Sequence, residues 1–187
     1  MPTPISRPWS QRAPKPSLFE AMPRHAETRI VPYTPAQMFD LVADVGRYPE
    51  FLPWCVGARV TDRTEAGLIG HMTIGFGPFR ESFVSRVGLD RPGRITVQYE
   101  RGPFKYLNNV WEFVPDAAGC KIGFSVDFEF RNALLRAAIG VVFHEATRRM
   151  VNAFLVRARE IYGTETAMAS PRVGVVTADA SIRGAGP

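Results

Sequence analysis

Lys121-Ile122-Gly123-Phe124-Ser125-Val126-Asp127-Phe128-Glu129-Phe130-Arg131-Asn132-Ala133-Leu134-Leu135 is the stretch that decides the fold. Phe124, Val126, Phe128 and Phe130 alternate with Ser125, Asp127 and Glu129, so 121–130 reads as a strand with one dry face and one wet face. Asp127 and Glu129, on the wet face, are expected to be solvated or paired with arginines. Asn132 then caps a helix that runs to about Tyr162, where Gly163 suits a left-handed end. Leu135, Ile139, Val142, Phe143, Ala146, Met150, Phe154, Ala158 and Ile161 fall on one helical stripe. Between 133 and 143 only Arg136 interrupts the apolar residues, so the first turns are greasy almost all round. A helix on one sheet face needs a single apolar stripe, and the excess calls for a second neighbour: a ligand, a membrane or a partner subunit.

Outward from this junction the pattern stays regular. Residues 25–31 read as a first strand stopped by Pro32. Thr34 as N-cap and Pro35 at the first position then open a short helix carrying Ala36, Phe39, Leu41 and Val42. After a loop or helical turn over 44–49, the period becomes two: strands are predicted at 56–62, 68–76, 82–89, 95–99, 108–114 and 121–130. Gly- and Pro-bearing turns separate them. The expectation is an α+β fold, a curved antiparallel sheet of about seven strands wrapped around a long C-terminal helix, with short helices after the first strand. Such a grip rarely closes along its whole length, and a lipid-sized pocket of roughly 300–1,000 Å³ is expected in the gap.

The chain of 187 residues, 45% hydrophobic and 22% charged, fits one soluble domain. Residues 1–21 are Pro-rich without hydrophobic period and are expected to be disordered, with Met22 an alternative start. The domain is placed at 22–163, and the Ala/Gly-rich tail 164–187 is expected to be loose. No run reaches the roughly 20 apolar residues of a membrane span, and no signal-peptide core is present. Two cysteines, Cys55 and Cys120, argue against a disulfide framework, and a cytoplasmic location follows. The net charge of +5 is spread among acids, with local basic clusters at Arg148-Arg149 and at Arg157 and Arg159. They read first as a solvated helix face, and second as attraction to anionic headgroups.

Catalytic signatures are missing: no Gly-x-Ser-x-Gly elbow, no His-Glu-x-x-His helix, no Cys-x-x-Cys and no phosphate-cradling Gly-rich loop. His25, His71 and His144 lie far apart, and His71 reads as a structural histidine. No catalytic residue and no metal ligand is assigned. Two aromatic segments stand out instead. Tyr48-Pro49-Glu50-Phe51-Leu52-Pro53-Trp54-Cys55 is a loop fixed by prolines yet holding four large apolar side chains, either core-packed or a lid. Gly102-Pro103-Phe104 leads into a strand where Asn109, Trp111 and Phe113 share a face. Were that face the inner one, Asn109 would offer a hydrogen bond to a quinone-type carbonyl; a capped strand end is the plainer reading.

On these segments, with Leu41 to Val45, Leu107, Asn108, Phe124 to Phe130 and Leu134-Leu135, the chain resembles the coenzyme Q-binding family of START-like helix-grip proteins. Bacterial members of that family carry polyketide cyclase-like or ribosome-association toxin labels. The resemblance covers about 22–163. It implies a non-enzymatic lipid carrier that binds ubiquinone or another isoprenoid, needs no catalytic cofactor, and supports respiration from the inner face of the cytoplasmic membrane. Lipid contacts are expected at Phe51, Leu52, Pro53, Trp54, Phe104, Asn109 and Trp111, with Leu135, Ile139 and Phe143 on the helix. Trp111→Ala is expected to leave the fold intact. The alternatives are a protein that binds the large ribosomal subunit and blocks subunit association, and a small-molecule cyclase or hydrolase. The last requires His71 and His144 on a common cavity wall.

Overall fold

A computed structural model describes residues 24–77 and 79–164; the side chains of Arg24, Phe76 and 137–144 lie outside that description. The expectations for 1–21 and for the tail beyond Thr164 also fall outside it. The elements run β1 (Arg24–Val31), α1 (Pro35–Ala43), a 3-10 turn (Val45–Arg47), α2 (Tyr48–Phe51), β2 (Cys55–Thr61), β3 (Gly67–Phe76), β4 (Phe79–Asp90), β5 (Arg94–Arg101), β6 (Phe104–Asp116), β7 (Gly119–Phe130) and α3 (Ala133–Tyr162).

All seven strands join one antiparallel sheet in the order β1-β7-β6-β5-β4-β3-β2. Strands β2 to β7 are the meander that the turn residues predict. β1 instead pairs with β7 at the far edge, so residues 32–54 carry the chain from one edge of the sheet to the other. The curved sheet holds α3 in its concave side, which is the helix-grip arrangement.

Local chemistry explains the boundaries. Thr34 and Gln37 form a capping box, Gln37 N donating to Thr34 Oγ1 at 3.2 Å and Thr34 N to Gln37 Oε1 at 2.8 Å. Pro49 sits in the first turn of α2, where its missing N–H costs nothing, so 48–51 is helical. β6 starts at Phe104, four residues before the predicted 108, because Gly102 turns the chain at once. Its φ is +138°, and a Cβ there would lie 2.6 Å from Phe83 Cβ. Asn132 Oδ1 accepts from Leu134 N at 2.8 Å, and Gly163 (φ +78°) ends α3.

One helical assignment needs correction. Ile161 is half exposed, whereas Val151, Phe154 and Ala158 are buried and Tyr162 donates its hydroxyl to Gln37 O at 3.0 Å. The core stripe follows 151, 154, 158 and 162, and Ile161 points about 100° away from Tyr162.

The interior divides into two clusters. The larger gathers Phe39, Trp111, Phe113, Phe124 and Phe154 between α1, the sheet and the second half of α3. The smaller holds Phe83, Phe104, Phe130 and Leu135 near the start of α3. Among the described residues no helix is long and apolar enough to cross a membrane.

Candidate functional site: an apolar cavity between helix and sheet

A cavity of about 200 Å³ lies between the two clusters. Leu52, Trp54 and Cys55, on the segment joining α2 to β2, form one wall. The sheet supplies Met72 and Ile74 of β3, Phe83 of β4, Phe104 and Leu107 of β6, and Val126, Phe128 and Phe130 of β7. Ala146, Thr147 and Met150 of α3 close it. The volume is smaller than the expected range because the other end of the grip is filled by rings. Around Trp111 the remaining void is about 10 Å³.

Alternation explains the wall made by 51–55. Leu52 is buried and Trp54 half-buried, both facing the cavity, while Pro53 between them is exposed. Tyr48 and Phe51 turn the other way onto Phe154, with ring centroids 5.3 and 5.1 Å from it. Arg157 lies 5.7 Å over the Phe51 ring and pairs with Glu50, fastening α2 to α3. Tyr48 donates to Val42 O at 2.6 Å, and burial pushes its phenol well above the ordinary range. The Trp54 carbonyl accepts Gly75 N at 2.8 Å, which ties this wall to β3.

Of the residues expected to contact a ligand, Leu52, Trp54 and Phe104 therefore line the cavity. Leu135 is buried in the smaller cluster behind it. Phe51 and Trp111 belong to the filled end. The side chains of Ile139 and Phe143 lie outside the described residues. Asn109 does share the inner face with Trp111, but its amide is committed to protein partners. Its Oδ1 accepts Trp111 Nε1 at 3.0 Å, and its Nδ2 donates to Ser125 O at 2.8 Å.

Two polar groups escaped the sequence reading. Ser85 Oγ and Tyr99 Oη are buried and have no hydrogen-bond partner among the described residues. They are register partners on β4 and β5, on the same inner face as Phe83, and the Tyr99 ring lies 5.7 Å from Phe104 in the cavity wall. A lone serine amid Phe83, Val84 and Val87 carries no sequence signal. Only register shows that it stands opposite a tyrosine.

The only ionisable group in the described wall is Cys55. Burial pushes its thiol up, and Sγ donates to Gly57 O at 3.6 Å, so it stays protonated at neutral pH. His71 points to the other side of the sheet and hydrogen-bonds Thr61 Oγ1 at 3.1 Å. It therefore stands on no interior wall, which removes the histidine pair the cyclase alternative requires.

The rim near the start of α3 is held by charge. Lys105 and Arg136 donate to Glu129 Oε1 at 2.6 and 2.7 Å, and those bonds keep the Glu129 carboxyl below its usual range. Arg131 donates through Nε to Phe104 O at 2.7 Å and through its backbone N to Pro103 O at 2.8 Å.

A curved antiparallel sheet gripping one long helix around an apolar hollow defines the helix-grip, START-like class of fold. Residues 31–155 match the family described as "Polyketide cyclase / dehydrase and lipid transport", and the chain belongs to it. Ribosome association toxin RatA of Escherichia coli (strain K12) is 39% identical over 142 residues, which is 75% of this chain and 90% of the relative. Coenzyme Q-binding protein COQ10 homolog B, mitochondrial, of Xenopus laevis is 32% identical over 146 residues, covering 75% of this chain and 60% of the relative. The solution structure of the 18 kDa protein CC1736 from Caulobacter crescentus shares 37% identity and a TM-score of 0.64, over 76% of this chain and 99% of that one. The resemblance drawn from the aromatic segments is thus borne out at the level of family and fold.

Proposed function

We propose that the protein is a non-enzymatic carrier for an isoprenoid quinone of the ubiquinone type, working transiently at the inner face of the cytoplasmic membrane. The observation that carries this reading is the apolar cavity walled by Leu52, Trp54, Phe104, Phe128 and Met150. An apolar cavity of about 150 Å³ suffices to hold benzene. A hollow of about 200 Å³ therefore takes a substituted ring rather than a whole polyisoprenoid chain. In this reading the ring enters the hollow, and the tail runs along the apolar first turns of α3. Burial of the tail contributes about 0.8 kcal/mol per CH₂. Ser85 and Tyr99 lie behind the wall rather than in its lining. In this reading their hydroxyls, without a partner among the described residues, replace Asn109 as donors to a ring carbonyl that reaches past Phe83 and Phe104. The relative named for coenzyme Q binding supports the same ligand class.

The test is organic extraction of protein purified from its native cells, followed by mass spectrometry. A quinone in stoichiometric amount is expected. Recovery of no lipid overturns the carrier reading.

A second reading, association with the large ribosomal subunit, is favoured by the 39% identity to a ribosome association toxin over 90% of its length. Co-sedimentation with that subunit at low salt, lost at high salt, is its expected result. Absence of the protein from the ribosomal fractions at low salt removes it.

A further inference from the structure

Most described arginines are neutralised where they stand. Arg86 meets Glu100 at 2.7 Å, Arg91 meets Asp40 at 2.8 Å, Arg94 meets Glu112 at 3.8 Å, and Arg136 and Arg157 are paired as above. Among the described residues seven arginines have no acidic partner: Arg63 and Arg131, which donate to backbone carbonyls, Arg148 and Arg159 on α3, and Arg59, Arg80 and Arg101 on the sheet. Sheet register aligns two of the sheet arginines, Arg59 and Arg101. Arg59 of β2 is the Cα partner of His71 in β3, His71 of Val84 in β4, and Val84 of Arg101 in β5. Arg59, His71 and Arg101 therefore stand in one row across four strands. The row faces away from α3, on the opposite side of the sheet from the cavity.

The neighbouring row holds Thr73 and Ser82, whose hydroxyls lie 2.9 Å apart, and two positions further on Arg80 stands opposite Gly75. A cleft of about 510 Å³ is lined by Arg59, His71, Thr73, Ser82 and Arg101, and no carboxylate is among its lining residues. Three strand spacings of about 4.8 Å separate Arg59 from Arg101, or about 14 Å at Cα. One phosphate group does not span that distance, whereas a chain of phosphates does.

We infer that this outer cleft binds the phosphodiester backbone of RNA, with Arg59 and Arg101 as charged anchors and the Thr73 and Ser82 hydroxyls as donors between them. Of the two aromatic rings in the cleft lining, Phe83 turns inward to the cavity wall and the His71 ring is held by its hydrogen bond to Thr61 Oγ1, so the lining offers no broad platform for unstacked bases. Contact is therefore with backbone rather than base, which suits a helical RNA more than an open strand. The site is independent of the lipid reading, because its anchoring residues lie on the other face of the sheet.

The probe is a fluorescein-labelled RNA duplex of about 16 base pairs, the span of a typical duplex-reading domain. Its anisotropy is titrated with the full-length protein over a series of salt concentrations. The Arg59→Ala/Arg101→Ala double variant is expected to lose about tenfold in affinity, and its log-log salt slope to fall by about two. Arg59→Lys/Arg101→Lys retains the slope, and Arg94→Ala, whose arginine is already paired, stays within about twofold of the parent. Thermal melting and extracted lipid are the same in all four proteins. An alanine double variant that binds as the parent does overturns the inference, as does failure of the parent to bind the duplex at low salt. Capture by phosphatidylglycerol vesicles with no affinity for the duplex also overturns it, and makes the row a membrane contact instead.

Discussion

The two ends of the grip are built from the same kind of side chain and reach opposite results. At the filled end, Trp111 lies 4.4 Å from Phe124 and 5.2 Å from Phe154, and Phe39 meets Phe113 edge-on at 5.9 Å. At the hollow end, Phe104 touches Phe83, Phe128 and Phe130 at 5.3, 5.5 and 4.5 Å, so rings are no scarcer. The difference lies on the helix. Phe154 and Tyr162 reach down to the sheet and α1, whereas Ala146 and Thr147 stop short and leave a gap. Among the described residues, the rings at the hollow end pack along the sheet and meet α3 at Leu135, on one side of that gap. Aromatic content alone does not make a core; the size of the opposing side chain decides whether space is closed.

The strongest way to break the contrast is to hollow the filled end. Phe154→Ala removes the ring that Tyr48, Phe51 and Trp111 all pack against, and a loss of about 3–5 kcal/mol is expected in urea unfolding. Trp111→Ala belongs to the same class, which reverses the expectation that this substitution spares the fold. A loss below about 1 kcal/mol in either variant shows the filled end to be looser than drawn.

A matched pair of insertions tests the contrast at both ends. Ala158 is fully buried against the filled cluster, so Ala158→Leu overpacks it and costs about 1–3 kcal/mol. Ala146 faces the hollow, so Ala146→Leu is expected to stabilise the ligand-free protein by about 0.5–2 kcal/mol. It should also expel the extractable lipid. Equal destabilisation by both insertions denies that the ends differ.

Much of the fold was legible because the sequence signals are local. β7 declared itself by strict alternation, α1 by Thr34 and Pro35, and the end of α3 by Gly163. The site was legible only by face. Leu107, Asn109 and Trp111 share the inner side of β6, and parity cannot say which of them borders a hollow. Leu107 and Trp111 are four residues apart, about 13 Å along the strand. That depth places Leu107 in the cavity wall and Trp111 in the filled core. Ser85 and Tyr99 were invisible for a related reason: their pairing arises from β4–β5 register, with an irregularity at Val84/Ser85 that no pattern announces.

Smaller effects sharpen the hollow end. A buried hydroxyl without a partner is a cost in the empty protein, so Tyr99→Phe is expected to stabilise the ligand-free form by about 1 kcal/mol while weakening quinone binding. A Tyr99→Phe protein that melts earlier and holds quinone as before assigns the hydroxyl to an internal bond instead.

The least effect concerns how a poorly filled end stays shut. Lys105 and Arg136 bond Glu129 there, lowering its carboxyl below the usual 4.5. A carboxyl that is more acidic in the folded chain than in the unfolded one stabilises the fold at pH above the unfolded value. That contribution fades as pH falls through the lower, folded value. Between about pH 5 and pH 3 the parent should therefore lose melting temperature more steeply than Glu129→Gln, whose amide does not titrate in this window. Identical acid profiles in the two proteins mean that the Lys105–Glu129–Arg136 cluster is a solvated surface pairing with no part in closing the hollow end.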